Sequence, residues 1–141
     1  MVDNAVWLEI EGRKVRTLRD ILPETPGLRA LFVAKTPAPA SVEAGHYFQG
    51  RQGKLFWGQL KKYGILCQRT AFEDDALLGQ GFGITDIAKK PRPYRDEPSS
   101  KEYADGVSRI VNLIKLHKPT VVIFVYKRVL DNLPIKLTQV R

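Results

Sequence analysis

The sequence predicts an α/β domain in which helices cover both faces of a mostly parallel sheet. Three short apolar runs have the length and composition of buried strands, namely residues 28–34, "GFGITDIA" ending near Asp86, and "TVVIFVY" at 120–126. Segments with helical spacing separate these runs, as in βαβ units. We therefore expect a three-layer α/β/α architecture with its site at the carboxyl ends of the strands.

The N-terminal part is predicted to form a hairpin and a helix. Residues 6–10 and 14–18 flank a Glu-Gly pair, which is typical of a tight turn between two strands. The motif "TLRD" follows, with Thr17 as a helix cap and Asp20 near the positive start of the helix. We expect this helix to end at Pro23.

Further along the chain, three segments are predicted to be helical. Apolar residues recur at helical spacing between positions 56 and 63. The motif "TAFE" is a capping box in which Thr70 and Glu73 satisfy each other's backbone donors at the start of a short helix. "SSKE" forms a second capping box at Ser99, and the long helix that begins there is expected to end at His117.

The length and composition predict one domain with a single hydrophobic core. The chain has 141 residues, of which 43% are hydrophobic. Within a domain spanning 1–141 we expect an N-terminal hairpin and helix at 1–27, a core at 28–126 and a C-terminal tail at 127–141. The formal charge of +8 is spread along the chain and favours a polyanionic partner.

The cysteine count and the hydropathy pattern exclude several classes of protein. Cys67 is the single cysteine, which excludes disulfides within the chain, thiolate zinc sites and four-cysteine iron–sulfur clusters. We expect chemistry without a metal or a cofactor. No apolar run has membrane-spanning length and no signal-peptide pattern is present, so we expect no membrane partner and an intracellular protein, nucleoid-associated in a bacterium or archaeon.

The most informative stretch is "LFVAKTPAPASVEAGHYFQGRQGKLFW", which begins as a strand and ends as a helix. Its prolines fix the backbone and its alanines keep it slim enough for a flat ligand to approach. Tyr47 and Phe48 could stack on such a ligand, while the cations beside them contact phosphate. The alternative is that the aromatic rings seal the core and the cations are solvated. "GQGFG" precedes a strand, so it does not indicate a dinucleotide site.

Three segments of the chain resemble the mismatch-specific uracil/thymine-DNA glycosylase branch of the uracil-DNA glycosylase superfamily. They are the stretch just described, "GFGITDIAKKPRP" and "SSKEYADGVSRIVNLIKLHKPTVVIFVYK". The resemblance covers roughly residues 17–126. It implies a four-stranded parallel sheet between helices and an enzyme of base-excision repair. Such an enzyme flips uracil or another deaminated or mismatched base out of DNA and hydrolyses its N-glycosidic bond.

The resemblance also implies roles for individual residues. Phe48 sits where the family's ring stacks on the flipped base, with Tyr47 beside it. Lys35 and Pro37 line the base cleft, and Asp86 lies near the base edge or assists the attacking water. Contacts with DNA phosphates are expected from Ser41, His46, Arg51, Lys54, Lys89 and Arg92.

The first motif departs from the family pattern. The family's G-I-N-P-G contains an Asn that positions the attacking water, whereas "AKTPA" places Thr36 there. A hydroxyl can hold a water but is shorter than the amide, so catalysis is expected to be weakened or rerouted through Asp86. The alternative role of Asp86 is to cap its loop. Lys35 could act as a Schiff-base lyase or contact phosphate, and His46 could be a general acid or base or a packing residue.

The end of the chain also departs from the family pattern. The family has a fourth strand and a loop that wedges into DNA, whereas only "KRVLDNLPIKLTQVR" follows the third strand here. The sheet could lack its last strand, which would expose residues 120–126 as an edge able to pair two copies into a homodimer. Truncation and natural loss both stay open.

The competing function is a catalytically impaired module that binds DNA or a free base, and a weaker alternative is a fragment that does not fold as a stable monomer.

Overall fold

A computed structural model of the protein describes residues 3–126 and contains a three-stranded parallel sheet. Strand β3 (Ala30–Ala34) lies between β4 (Phe82–Asp86) and β5 (Val121–Phe124). The other elements are the hairpin strands β1 (Ala5–Ile10) and β2 (Arg13–Leu18), the helices α1 (Pro39–Ala44), α2 (Arg51–Lys62) and α3 (Ser100–His117), and 3-10 turns at Glu73–Ala76 and Leu78–Gln80. The three predicted strands are confirmed.

The side chains of β3 alternate between two hydrophobic clusters. Phe32 belongs to the cluster that contains Trp57 of α2, and Leu31 belongs to the cluster that contains Ile110 of α3. Because successive residues of a strand point to opposite faces, the two helices cover opposite faces of the sheet. The predicted three-layer α/β/α fold is therefore confirmed.

The expectations for a fourth strand and a wedge loop concern residues 127–141, which lie outside the described residues. Within residues 3–126, β5 has β3 as its one strand neighbour, and pairing of two copies through β5 stays a prediction. No helix in this part of the chain is long and apolar enough to cross a membrane.

The predicted hairpin is confirmed, but the helix predicted from "TLRD" is wrong. Thr17 lies in β2, and its hydroxyl donates to the carbonyl of Lys89 at 2.5 Å instead of capping a helix. The chain then runs in irregular structure to β3. On the way, Ile21 forms an antiparallel bridge to Ile84, so the segment uses its backbone groups to cover the outer edge of β4.

The two predicted capping boxes have different outcomes. Ser99 caps α3 as expected, since its side chain accepts from the amide of Glu102 at 3.2 Å and its own amide donates to the Glu102 carboxylate at 3.1 Å. The prediction of a capping box at "TAFE" is wrong. The hydroxyl of Thr70 donates to the carbonyl of Phe72 at 2.6 Å, and Glu73 begins a 3-10 turn with no side-chain cap.

Two loops leave the carboxyl edge of the sheet and are joined by their main chains. We call residues 35–38, after β3, the first loop and residues 87–98, after β4, the second loop. The amides of Ile87, Ala88 and Arg92 donate to the carbonyls of Ala34, Lys35 and Pro37 at 2.8, 3.1 and 3.0 Å, respectively. These bonds fix the distance between the two loops, and a cleft opens beside them.

Candidate active site

The cleft is a cavity of about 250 Å³ between the first loop, the second loop and the start of α2. The sequence-predicted residues that line it are Lys35, Thr36, Pro37, Ser41, Tyr47, Phe48, Arg51, Asp86 and Arg92. Leu18, Tyr94 and Tyr126 also line it, and sequence reasoning gave them no role. His46, Lys54 and Lys89 are not among its lining residues. The strand ends thus bring most of the predicted site together.

An aromatic cluster holds Phe48 against the cavity. Its ring lies edge-on to Phe56 and Trp57, at centroid distances of 4.8 and 5.5 Å. Gly53 of α2 passes directly behind it, since a Cβ at that position would lie 2.4 Å from the Phe48 Cα. Phe48 also has a φ of 55°, a conformation that L-residues rarely adopt. Packing therefore fixes this ring before any ligand binds.

Asp86 places a buried carboxylate in the cavity wall at the end of β4. The residue is 1% exposed, and its Oδ2 accepts from the Lys89 ammonium at 3.0 Å. Burial raises the pKa of Asp86, and the attraction of Lys89 only partly opposes this effect. A carboxylate in this setting is a stronger proton acceptor than an exposed aspartate.

A network of ion pairs supports Asp86 from behind. The Lys89 ammonium lies 2.7 Å from Asp20 Oδ1 and donates to the carbonyl of Leu18 at 2.8 Å. Arg109 of α3 donates to the other oxygen of Asp20 at 2.8 Å. Burial by itself would raise the pKa of Asp20, but Lys89 and Arg109 outweigh it and lower this pKa. Because Lys89 is committed to this network, we do not expect it to contact DNA phosphates.

Tyr47 forms a rigid part of the cavity wall. Its hydroxyl donates to the carbonyl of Arg19 at 2.8 Å and accepts from Lys89 at 3.1 Å. Its carbonyl accepts from the indole of Trp57 at 2.8 Å. Burial raises the pKa of Tyr47 well above its ordinary value, and the charge of Asp86 raises it further. The phenol therefore stays neutral.

Lys35 links the first loop to the second. The side chain is 8% exposed, and its Nζ donates to the Glu97 carboxylate at 2.5 Å and to the carbonyl of Tyr94 at 3.0 Å. The same Nζ lies 5.5 Å from the ring centroids of Tyr94 and Tyr126. The amine thus holds the second loop in place, and its role as a lyase stays a prediction.

Comparison with known proteins assigns the chain to a family. The family model of the uracil DNA glycosylase superfamily matches residues 23–140. The chain belongs to this superfamily. It is also 26% identical over 120 residues to the G/U mismatch-specific uracil DNA glycosylase of Schizosaccharomyces pombe (strain 972 / ATCC 24843), which supports the mismatch-specific branch. That alignment covers 83% of this chain and 36% of the relative, so the chain spans about a third of the relative's length.

Thr36, which the resemblance places at the position of the family's Asn, lies at the edge of the cleft. It follows the end of β3, is half-buried, and lines the cavity together with Asp86. The backbone around Thr36 is held by the bonds between the two loops, so the position of this residue is fixed. The hydroxyl can hold a water molecule at the edge of the cavity.

His46 lies deeper than a surface contact with DNA requires. The residue is 4% exposed, its Nδ1 lies 2.7 Å from Asp74 Oδ1, and its ring stacks on Phe72 with centroids 3.7 Å apart. Burial raises the pKa of Asp74, and the amide of Tyr47 and His46 oppose this effect. We therefore do not expect His46 to contact DNA phosphates.

Polar and cationic groups line the cavity or lie on the exposed side of the adjoining helix α2. Arg51 is exposed in the first turn of α2, where the helix dipole adds positive potential, and Lys54 is exposed on the next turn. Arg92 lines the cavity and pairs with Glu102 of α3. The Ser41 hydroxyl accepts from the amide of Gln49 at 3.0 Å and keeps its own proton to donate.

Proposed function

We propose that the chain is a DNA N-glycosylase that hydrolyses the N-glycosidic bond of uracil or another deaminated or mismatched base in DNA. The observation that carries this proposal is the cavity, which has Phe48 and a buried Asp86 in its walls. The chain's charge of +8 and its superfamily are consistent with a DNA substrate. A nucleobase is flat, apolar on its faces and polar at its edge, so it complements these walls.

Binding begins with extrusion of the base from the helix. The lost stacking is offset when the base stacks on Phe48 and its edge meets polar groups near Asp86 and the first loop. Because Phe48 and Tyr47 are fixed by packing, little side-chain freedom is lost on binding. Phosphates beside the extruded nucleotide are contacted by Arg51, Lys54 and Arg92. Ser41 is 2% exposed and lines the cavity, so its hydroxyl meets the extruded nucleotide instead of a flanking phosphate.

Hydrolysis then needs an attacking water and a proton acceptor. The Thr36 hydroxyl holds the water, and Asp86 accepts its proton as the oxygen bonds to the sugar carbon. The bond from that carbon to the base nitrogen breaks at the same stage, and the base leaves with the bonding electrons. Lys89 keeps one oxygen of Asp86 in place during the transfer.

The test is single-turnover release of free base from oligonucleotides that contain uracil, hypoxanthine or a G·T mismatch. Strand breaks that need alkali would establish an abasic product and therefore a glycosylase. Breaks without alkali would add a lyase step and direct attention to Lys35. No release from any substrate, by a protein with a cooperative unfolding transition, would contradict the proposal.

A catalytically impaired module that binds DNA or a free base is the second candidate, because Thr36 stands where the family has its Asn. We expect Thr36→Asn to raise the rate of base release about tenfold or more, since an amide positions water better than a shorter hydroxyl. The rate is measured in single turnover with Thr36→Val as the matched control, which removes the hydroxyl at similar volume. Release by Thr36→Asn alone would favour the binding module, whereas equal rates for the three proteins would show that this position does not act in catalysis.

A further inference from the structure

The β1–β2 hairpin lies outside the residues matched by the superfamily, yet it is joined to the cleft. The family match begins at residue 23, whereas the hairpin ends at Leu18, which lines the cavity. Two bonds fasten this end, from the Thr17 hydroxyl to the carbonyl of Lys89 and from the Lys89 ammonium to the carbonyl of Leu18. The hairpin therefore has a fixed orientation relative to the site.

One face of the hairpin is turned to solvent and carries an aromatic ring. The register pairs Trp7 with Arg16 and Glu9 with Lys14, and paired residues of antiparallel strands point to the same side. All four are exposed, and Trp7 is 66% exposed. The opposite face carries Val6, Ile10 and Val15, which are partly buried. An indole is thus presented outward beside a guanidinium.

The second strand of the hairpin is strongly basic. The strand "RKVRTL" contains three cations and no acid. In the described part of the chain, no carboxylate lies within ion-pair distance of Arg13, Lys14 or Arg16. Exposed cations that form no ion pair with the described residues are available to an anionic ligand.

We propose that the hairpin face formed by Trp7, Lys14 and Arg16 is a second DNA-contacting surface, which binds the strand that flanks the flipped nucleotide. It rests on the proposed function, which supplies DNA as the ligand. Lys14 and Arg16 contact phosphates, and the indole of Trp7 stacks on a base or a sugar of that strand. The exposed cations of β2 and the fastening of this strand to the cavity wall at Leu18 favour DNA over a protein partner.

The two tryptophans allow a direct test. Trp57 is 0% exposed, so fluorescence that iodide can quench belongs to Trp7. We expect a short uracil-containing DNA duplex to protect Trp7 from iodide, and Trp7→Ala to weaken binding of that duplex about tenfold. Lys14→Gln and Arg16→Gln should each reduce the slope of log affinity against log salt concentration by about one.

Tyr63→Ala is the matched control. Tyr63 is 68% exposed and lies beside the ammonium of Lys62 at the end of α2, outside the proposed surface. Its removal should leave DNA affinity unchanged. Equal weakening by Tyr63→Ala, or wild-type affinity and salt slopes in the Trp7, Lys14 and Arg16 variants, would overturn the proposal. A change in sedimentation of Trp7→Ala with unchanged DNA affinity would also overturn it, in favour of a protein interface.

The outcomes separate this proposal from the proposed function. Base release by the wild type, combined with wild-type DNA binding by Trp7→Ala, would overturn the hairpin surface and leave the glycosylase in place. Protection of Trp7 by DNA without base release from any substrate would support the hairpin surface and contradict the glycosylase.

Discussion

Asp86→Asn is expected to slow single-turnover base release about 100-fold or more, while DNA affinity stays close to that of the wild type. The amide keeps the size of the carboxylate and can still accept from Lys89, so the wall of the cavity is retained. It cannot accept a proton from the attacking water. Base release from the best oligonucleotide substrate, followed by rapid quench, measures the rate, and the salt dependence of affinity provides the binding reference.

Asp20→Asn is the control that distinguishes a catalytic role of Asp86 from a structural role in the ion-pair network. Asp20 lies in the same ion-pair network but does not line the cavity. If Asp86 acts on the water, Asp20→Asn should release base at a rate within a few-fold of the wild type. Equal losses in both variants would assign a supporting role to Asp86, and an unchanged rate in Asp86→Asn would remove it from the mechanism.

The pH dependence of the rate provides an independent check on Asp86. Its ionised form is the active one, and burial raises its pKa above the ordinary value of 3.8, with Lys89 opposing. The rate should therefore rise with pH through this raised pKa, so activity is lost at a higher pH than for an exposed aspartate. Asp86→Asn should lack this acid limb.

Gly106→Ala is expected to destabilise the fold by roughly 2–3 kcal/mol, because α3 packs directly on the second loop at this position. A Cβ on Gly106 would lie 2.0 Å from the carbonyl oxygen of Ile87 and 2.9 Å from its carbonyl carbon. The helix or the loop must move, and Ile87 directly follows Asp86. Urea unfolding measures the free energy of unfolding, and base release should fall along with it.

Gly58→Ala is the control for helix propensity. Gly58 is exposed in the middle of α2, and a Cβ there meets nothing within 4 Å. This change should raise the free energy of unfolding by about 0.5–1 kcal/mol, since alanine favours the helix over glycine. A stabilising effect of Gly106→Ala, similar to that of Gly58→Ala, would contradict the close contact between α3 and the second loop.

The fold and most of the cavity lining could be predicted because they follow from short-range patterns. Apolar runs identify the strands, and the carboxyl ends of parallel strands meet at one edge, which brings Thr36 and Asp86 together. The ring of Phe48 needed the family resemblance, because an aromatic residue in a loop is equally typical of a sealed core. In the structure Phe48 packs in that core and also lines the cavity.

The failures arise where long-range contacts outweigh local preference. Thr17 and Asp20 have the pattern of a helix start, but their side chains bind groups of the second loop and α3 instead. The ion pairs of Lys89 and Arg109 could not be predicted either. A cation in a sequence is expected to be solvated, and only the fold shows that a buried acid lies beside it. Tyr94 and Tyr126 line the cavity because of the course that the chain takes around them, which no local sequence pattern predicts.

The main-chain bonds between the first and second loops make the shape of the cleft independent of which side chains line it. Carbonyls and amides make these bonds, so a substitution at position 36 or 86 leaves them intact. The cleft is in this sense a frame in which reactive groups can be exchanged one at a time without a new fold. Position 36 is one place for such an exchange, and the same frame would let evolution or design install another chemistry by a few point mutations.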